Sequence, residues 1–168
     1  MNLFMISLGG KAAHSTIEIH DVKFVLANNL EDCIEVLKKS WDGVVAHLHL
    51  DTYLKVQAIT GYDVVISEQP LTTSKRLYFV CLGGYDENNF SELHKLALVG
   101  AKDLASAKQQ AYQQLELDAK KWHLDEINEV EKIVLNTSNQ KCFINLIENH
   151  QKIALKPDWY GYYRIDKL

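Results

Sequence analysis

Shifted against itself by 74 positions, the chain lays Leu8-Gly9-Gly10 on Leu82-Gly83-Gly84, Glu18-Ile19-His20 on Glu92-Leu93-His94, and His49-Leu50-Asp51 on His123-Leu124-Asp125. The offset holds without a gap over residues 3–59. A constant offset over that length constrains the fold more than any short motif, because whatever the first copy builds the second should build again. The copies are read as residues 1–72 and 73–168, with a mostly polar stretch at residues 69–75 between them. The second copy carries extra residues in a turn at 137–140 and a C-terminal extension, where Trp159, Tyr160, Tyr162 and Tyr163 suggest one or two edge strands.

The repeated pattern is that of a ββαββ unit. Residues 3–8 and 77–82 are nearly continuous apolar runs, as expected of strands covered on both faces. The Gly-Gly pair after each reads as the start of a wide loop needing positive φ. Residues 19–27 and 93–101 read as second strands, and in the first of them Val22, Phe24 and Leu26 alternate with Asp21 and Lys23. Asn29 and Asp103 are equivalent helix N-caps. Leu30, Cys33, Ile34 and Leu37 form one helical face, matched by Leu104, Ala107, Ala111 and Leu115 in a second helix running to about residue 121. Lys38-Lys39 and Lys120-Lys121 then fall at helix C-termini, where the dipole favours cations. Closing strands are expected over 54–59 and 63–67, and again over 130–135 and 142–147, with Asp51 and Asp125 capping the turns before them. The expected fold is therefore α+β, a tandem duplication with antiparallel or mixed sheets, one main helix per unit and a pseudo-twofold relation. The sheets should join or pack, since one such unit alone would bury a marginal core.

Composition narrows the function classes. The net charge is −4 and the 18 Lys and Arg residues are spread along the chain, so no basic stripe favours nucleic acid. Apolar runs are strand-sized, which excludes helical membrane spans. The start lacks a basic region before its apolar run, so no signal peptide is expected. Cys33, Cys81 and Cys142 are odd in number and lack C-x-x-C spacing; they read as reduced, mostly buried thiols of a cytoplasmic protein. The Gly-Gly pairs lack a G-x-G-x-x-G or Walker pattern and no helix starts at them, so a turn is a better reading than a phosphate loop. Calcium-loop, H-E-x-x-H and G-x-S-x-G patterns are absent.

What the copies share beyond apolar residues and glycine is short. The identical polar pairs are Glu18/Glu92, His20/His94, His49/His123 and Asp51/Asp125, which takes in four of the seven histidines. Glu18 and His20, two apart on a strand, share a face about 7 Å apart, at the rim of the surface formed by Val22, Phe24 and Leu26. These residue types bind divalent transition metals, relay protons or build hydrogen-bond networks. The eight residues are the candidate metal ligands. The competing reading, favoured on sequence alone, is a polar clamp in which Glu18 and His20 satisfy backbone groups at the Gly-Gly pair and Asp51 caps a turn. His47 is in phase with His49, but Lys121 stands in its place in the second copy.

At these residues the chain resembles domain-of-unknown-function family 1543, through L-F-M-I-S-L-G-G, E-I-H-D-V-K-F, H-L-H-L-D and V-Q-A-I-T-G-Y-D-V-V-I. The second copy is similar through L-Y-F-V-C-L-G-G-Y and E-L-H, and departs where Asp21 becomes Lys95 and where the G-Y-D turn is lost. The resemblance implies a small bacterial protein with one or two copies of the domain, here two, and supplies no activity. The expected function is a non-catalytic binding or adaptor protein that meets a protein or small ligand. The alternative is a metal-dependent enzyme or metal-binding protein, whose cofactor would be a divalent metal. Nucleic acid is the least favoured partner, no membrane partner is expected, and edge strands leave a homo-oligomer open. The two readings separate on whether the Glu/His and His/Asp pairs converge in space.

Overall fold

The alternating and apolar runs of the sequence build strands nearly everywhere. The computed structural model describes residues 1–138 and 140–168; Asn139, in the turn expected over 137–140, lies outside the described residues. The elements in chain order are β1 (Asn2–Lys11), β2 (Ile19–Ala27), a 3-10 turn (Glu31–Cys33), α1 (Ile34–Lys39), β3 (Val44–Lys55), β4 (Ala58–Ile59), β5 (Tyr62–Ser67), β6 (Arg76–Gly84) and β7 (Leu93–Ala101), followed by α2 (Leu104–Gln114), β8 (Trp122–Glu129), α3 (Val130–Ile133), β9 (Leu135–Asn136), β10 (Phe143–Glu148) and β11 (Trp159–Arg164). The fold is mixed α+β, dominated by strands, with antiparallel and mixed sheets. No helix among the described residues is long and apolar enough to cross a membrane.

The chain divides into two compact units that interleave in sequence. The first comprises residues 1–57, 134–141 and 156–168; the second comprises 58–133 and 142–155. Residues 58–67, grouped with the first copy on sequence, thus lie in the second unit, where β5 pairs antiparallel with β10 from Ser67↔Phe143 to Tyr62↔Glu148.

In the first unit the sheet order is β11-β3-β1-β2-β9, with only β2 and β9 parallel. Phe4, Ile6 and Leu8 alternate onto one face of β1 and pack with Cys33 and Leu37. Burial on that face pushes the Cys33 thiol up to about 12, with Asp32 and Glu31 adding to the shift. Asn29 caps as expected, its Oδ1 accepting from Asp32 N–H at 2.9 Å. In the second unit β7-β6-β8 form one sheet and β10-β5-β4 another. Tyr78, Val80 and Leu82 alternate onto the face that receives Ala107 and Ala111 of α2. Asp103 and Ser106 close a reciprocal capping box at the start of that helix.

Four expectations need correction. Each unit has a long third strand (β3, β8) where a loop and turn were expected, and residues 130–133 form a helical turn, not a strand. Asp51 and Asp125 lie inside β3 and β8 and cap nothing. Helix α2 stops at Gln114, with Glu116 in the left-handed region at φ 54°, so Lys120-Lys121 lie beyond its end in a separate turn.

Candidate functional site

The Gly-Gly pairs are strand residues, not turns: Gly9 and Gly10 lie just before Lys11, the last residue of β1, and Gly83 and Gly84 end β6. They are glycines because of what lies over them. A Cβ on Gly9 would come within 2.4 Å of His49 Nε2, and one on Gly83 within 2.5 Å of Asp125 Oδ2 and 2.6 Å of Glu92 Oε1. Gly10 and Gly84, facing the opposite way by strand alternation, give the same close approach to Trp41 and Trp122.

The strand registers deliver the side chains to these glycines. β1 is central, and Gly9 faces His20 on β2 and His49 on β3. β6 is central likewise, and Gly83 faces His94 on β7 and His123 on β8. The β1–β3 register shifts between Ser7 and Leu8, leaving Asp51 unopposed; the β6–β8 register shifts between Cys81 and Leu82, leaving Asp125 unopposed. A bulge of this kind re-aims the side chain of the extra residue, and here both aspartates turn toward the histidine two positions before them.

In each unit the four sequence-selected residues are linked pair by pair, and among the described residues three ligand atoms come within 4.8 Å of one another only in the second unit. In the first, His49 Nε2 lies 3.3 Å from Asp51 Oδ1 and 3.7 Å from Glu18 Oε2, and His20 Nε2 lies 3.7 Å from Asp51 Oδ2. In the second, His123 Nε2 lies 2.9 Å from both Glu92 Oε1 and Asp125 Oδ1. His94 Nε2 lies 3.2 Å from Asp125 Oδ2 and 3.7 Å from Glu92 Oε2. Among the described residues, the one backbone hydrogen bond from these eight side chains joins His49 Nδ1 to His47 O, at 2.9 Å. Glu92 Oε1 is buried without a hydrogen-bond partner among the described residues, 2.9 Å from His123 Nε2.

The surroundings differ. His49 is 1% exposed, with the Tyr162 ring of β11 at a centroid distance of 4.0 Å. His47 holds a left-handed backbone at φ 74°, and its N–H donates to Asp166 Oδ2 at 2.9 Å. Asp166 is gripped in turn by Arg164, which holds its carboxyl well below the usual range. The chain Arg164–Asp166–His47 thereby fixes the carbonyl that binds His49 Nδ1 and commits Nε2 to the cluster. The second cluster is more open, with His123 half exposed beneath the Tyr85 ring at 5.7 Å. A hydrogen bond to Glu92 and the charge of that carboxylate raise the Tyr85 phenol above its ordinary value.

One residue near the second cluster was passed over on sequence. Cys81 Sγ lies 4.0 Å from Asp125 Oδ2, and burial, then Asp125, Glu126 and Glu92, push its thiol up to about 11. The signal was available: Cys81 is two residues before Gly83 and shares its face. A comparison restricted to identical pairs hid it, because Ser7 is its counterpart. Apart from the clusters, a groove of about 580 Å³ in the first unit is lined by Leu30, Ile34, Tyr53, Trp159 and Tyr163 among others, and includes none of the eight residues.

Residues 15–66 match the model of the family described as Domain of Unknown Function (DUF1543), in a single copy. That span holds Glu18, His20, His49 and Asp51. The chain is similar to the crystal structure of protein Il1583 from Idiomarina loihiensis, with 27% identity and a TM-score of 0.71, over 98% of this chain and 97% of that one. No curated protein matches. Neither similarity carries an activity.

Proposed function

We propose that this is a metal-binding protein with two divalent transition-metal centres, Glu18/His20/His49/Asp51 in one unit and Glu92/His94/His123/Asp125 in the other. The observation that carries the reading is the second unit, where ligand atoms of Glu92, His123 and Asp125 all lie within 4.8 Å of one another, with His94 Nε2 3.2 Å from Asp125 Oδ2; the first unit sets the same four residue types over Gly9 in pairs 3.3 to 3.7 Å apart. Ligand atoms about 2.0–2.2 Å from one ion are separated by roughly 3.0–3.5 Å in octahedral or tetrahedral geometry. The donor set of imidazole and carboxylate suits zinc, iron, manganese or nickel. Two carboxylates held together repel, and a divalent cation removes that repulsion.

The reading includes a tandem duplication at an offset of 74 residues. Its support is the shared register, with Gly9 between His20 and His49 as Gly83 is between His94 and His123, and the bulge at Asp51 repeated at Asp125. It is tested by stripping the full chain with chelator and titrating with Zn(II) in a calorimeter. Two ions should bind per chain. Stoichiometry should fall to one in a His20→Ala/His49→Ala variant and to one in a His94→Ala/His123→Ala variant. Absence of saturable binding by the folded protein refutes the reading.

A second reading, a binding protein for a small apolar ligand, draws on the groove beside Trp159 in the first unit. It requires a saturable change in Trp159 fluorescence with an apolar probe, and fails if a Trp159→Phe variant shows the same change.

A further inference from the structure

The two centres differ at one position within ligand range. Cys81 Sγ, a His94 ring nitrogen and an Asp125 oxygen lie within 4.8 Å of one another. Sγ is 4.0 Å from Asp125 Oδ2, and that oxygen is 3.2 Å from His94 Nε2. Zinc–sulfur and zinc–oxygen bonds of about 2.3 and 2.1 Å sum to roughly 4.4 Å, so one ion can touch both atoms as they stand. On β1 the residue two before Gly9 is Ser7, whose neutral hydroxyl is a poor ligand for a soft ion. Cys33 is buried in the core of the first unit among Leu37 and Leu48, and serves as an internal control.

We propose that Cys81 is a ligand of the metal centre in the second unit, making that centre selective for thiophilic divalent ions such as zinc, cobalt and cadmium, while the Ser7 centre is confined to nitrogen and oxygen donors. The inference rests on reading both clusters as metal centres. On binding, the Cys81 thiol releases its proton to solvent and the sulfur donates the freed electron pair to the ion; nothing is oxidised or reduced. A thiolate in the set raises affinity for soft ions and leaves affinity for hard ions such as manganese little changed.

The test uses the full chain, stripped of metal and reduced, titrated with Co(II) alone. Two ions should bind per chain, with a near-ultraviolet thiolate-to-cobalt charge-transfer band of the intensity of a single sulfur. Cys81→Ser should abolish the band and weaken one of the two ions by at least about tenfold, leaving the other unchanged. A measurement without any variant runs beside it: iodoacetamide labelling mapped by mass spectrometry, with and without Cd(II), should show Cys81 protected by the ion and the labelling of Cys33 unchanged. Two bound cobalt ions with no thiolate band, a band that survives Cys81→Ser, or equal labelling of Cys81 with and without Cd(II) overturns this inference and leaves the two centres standing. Absence of any bound ion overturns both.

Discussion

At the residue scale, the glycines of the Gly-Gly pairs explain why the side chains can converge at all. Gly83→Ala puts a methyl group 2.5 Å from Asp125 Oδ2, in the space that the cluster occupies. It should lower metal affinity at the second centre by about tenfold or more and destabilise the fold by about 1–3 kcal/mol through overpacking. Gly61→Ala is the contrasting case. Its Cβ would meet nothing, but φ is +85°, so it should cost about 1–2 kcal/mol through backbone strain and leave metal binding untouched. Calorimetric metal titration and chemical denaturation of the two variants check the pair. Asp166→Asn loosens the grip of Arg164 and the support of His47, so it should weaken the first centre by about tenfold and spare the second. The four polar pairs were legible in the sequence because they are identities at the 74-residue offset. The reason for the glycines was not, since a Gly-Gly pair after an apolar run reads equally as a turn, and only the positions of His49 and Asp125 decide otherwise.

Among the elements, the third strands matter most. β3 and β8 bring the second histidine and the aspartate beside the central strand, and the bulge turns the aspartate inward. They were misread because Val44 to Lys55 holds His47, His49 and Asp51 and lacks clean apolar alternation, and because the aspartates look like caps. Polar residues accumulate there for the site, at the expense of the strand pattern. The helices were more legible: Asn29 and Asp103 both cap, from good N-cap identities just before an apolar face. Hydrogen bonds from the Ser106 backbone and hydroxyl hold the Asp103 carboxyl below its ordinary value. A depressed carboxylate contributes stability above its unfolded pKa and loses it as pH falls through the folded one. The melting temperature of the protein should therefore lose an Asp103-dependent part on acidification below the usual carboxylate range. Asp103→Ala should melt lower at neutral pH and show a smaller further drop in acid; an unchanged pH profile contradicts the assignment.

On the scale of the whole molecule, the duplication signal and the compact units do not coincide along the chain. The 74-residue offset describes which positions are alike, whereas compactness follows which strands pair, and β5 pairs with β10 across most of the sequence between them. A sequence comparison reports the first and is blind to the second. Core burial is distributed over both units, and Leu8 and Leu82, both 0% exposed, occupy equivalent places. Leu8→Ala and Leu82→Ala should each cost about 2–5 kcal/mol in denaturant unfolding. Bound metal should stabilise the chain by mass action, by about 2.7 kcal/mol per centre at a hundredfold excess over its dissociation constant.

If each cluster is a metal centre, crystals grown with zinc and measured on both sides of the zinc absorption edge will show it. An anomalous peak is expected over Gly9, within bonding distance of His20, His49, Glu18 and Asp51, and a second over Gly83 among His94, His123, Glu92 and Asp125. Well-ordered clusters with no anomalous peak, and with every imidazole hydrogen-bonded to its neighbouring carboxylate, would contradict it.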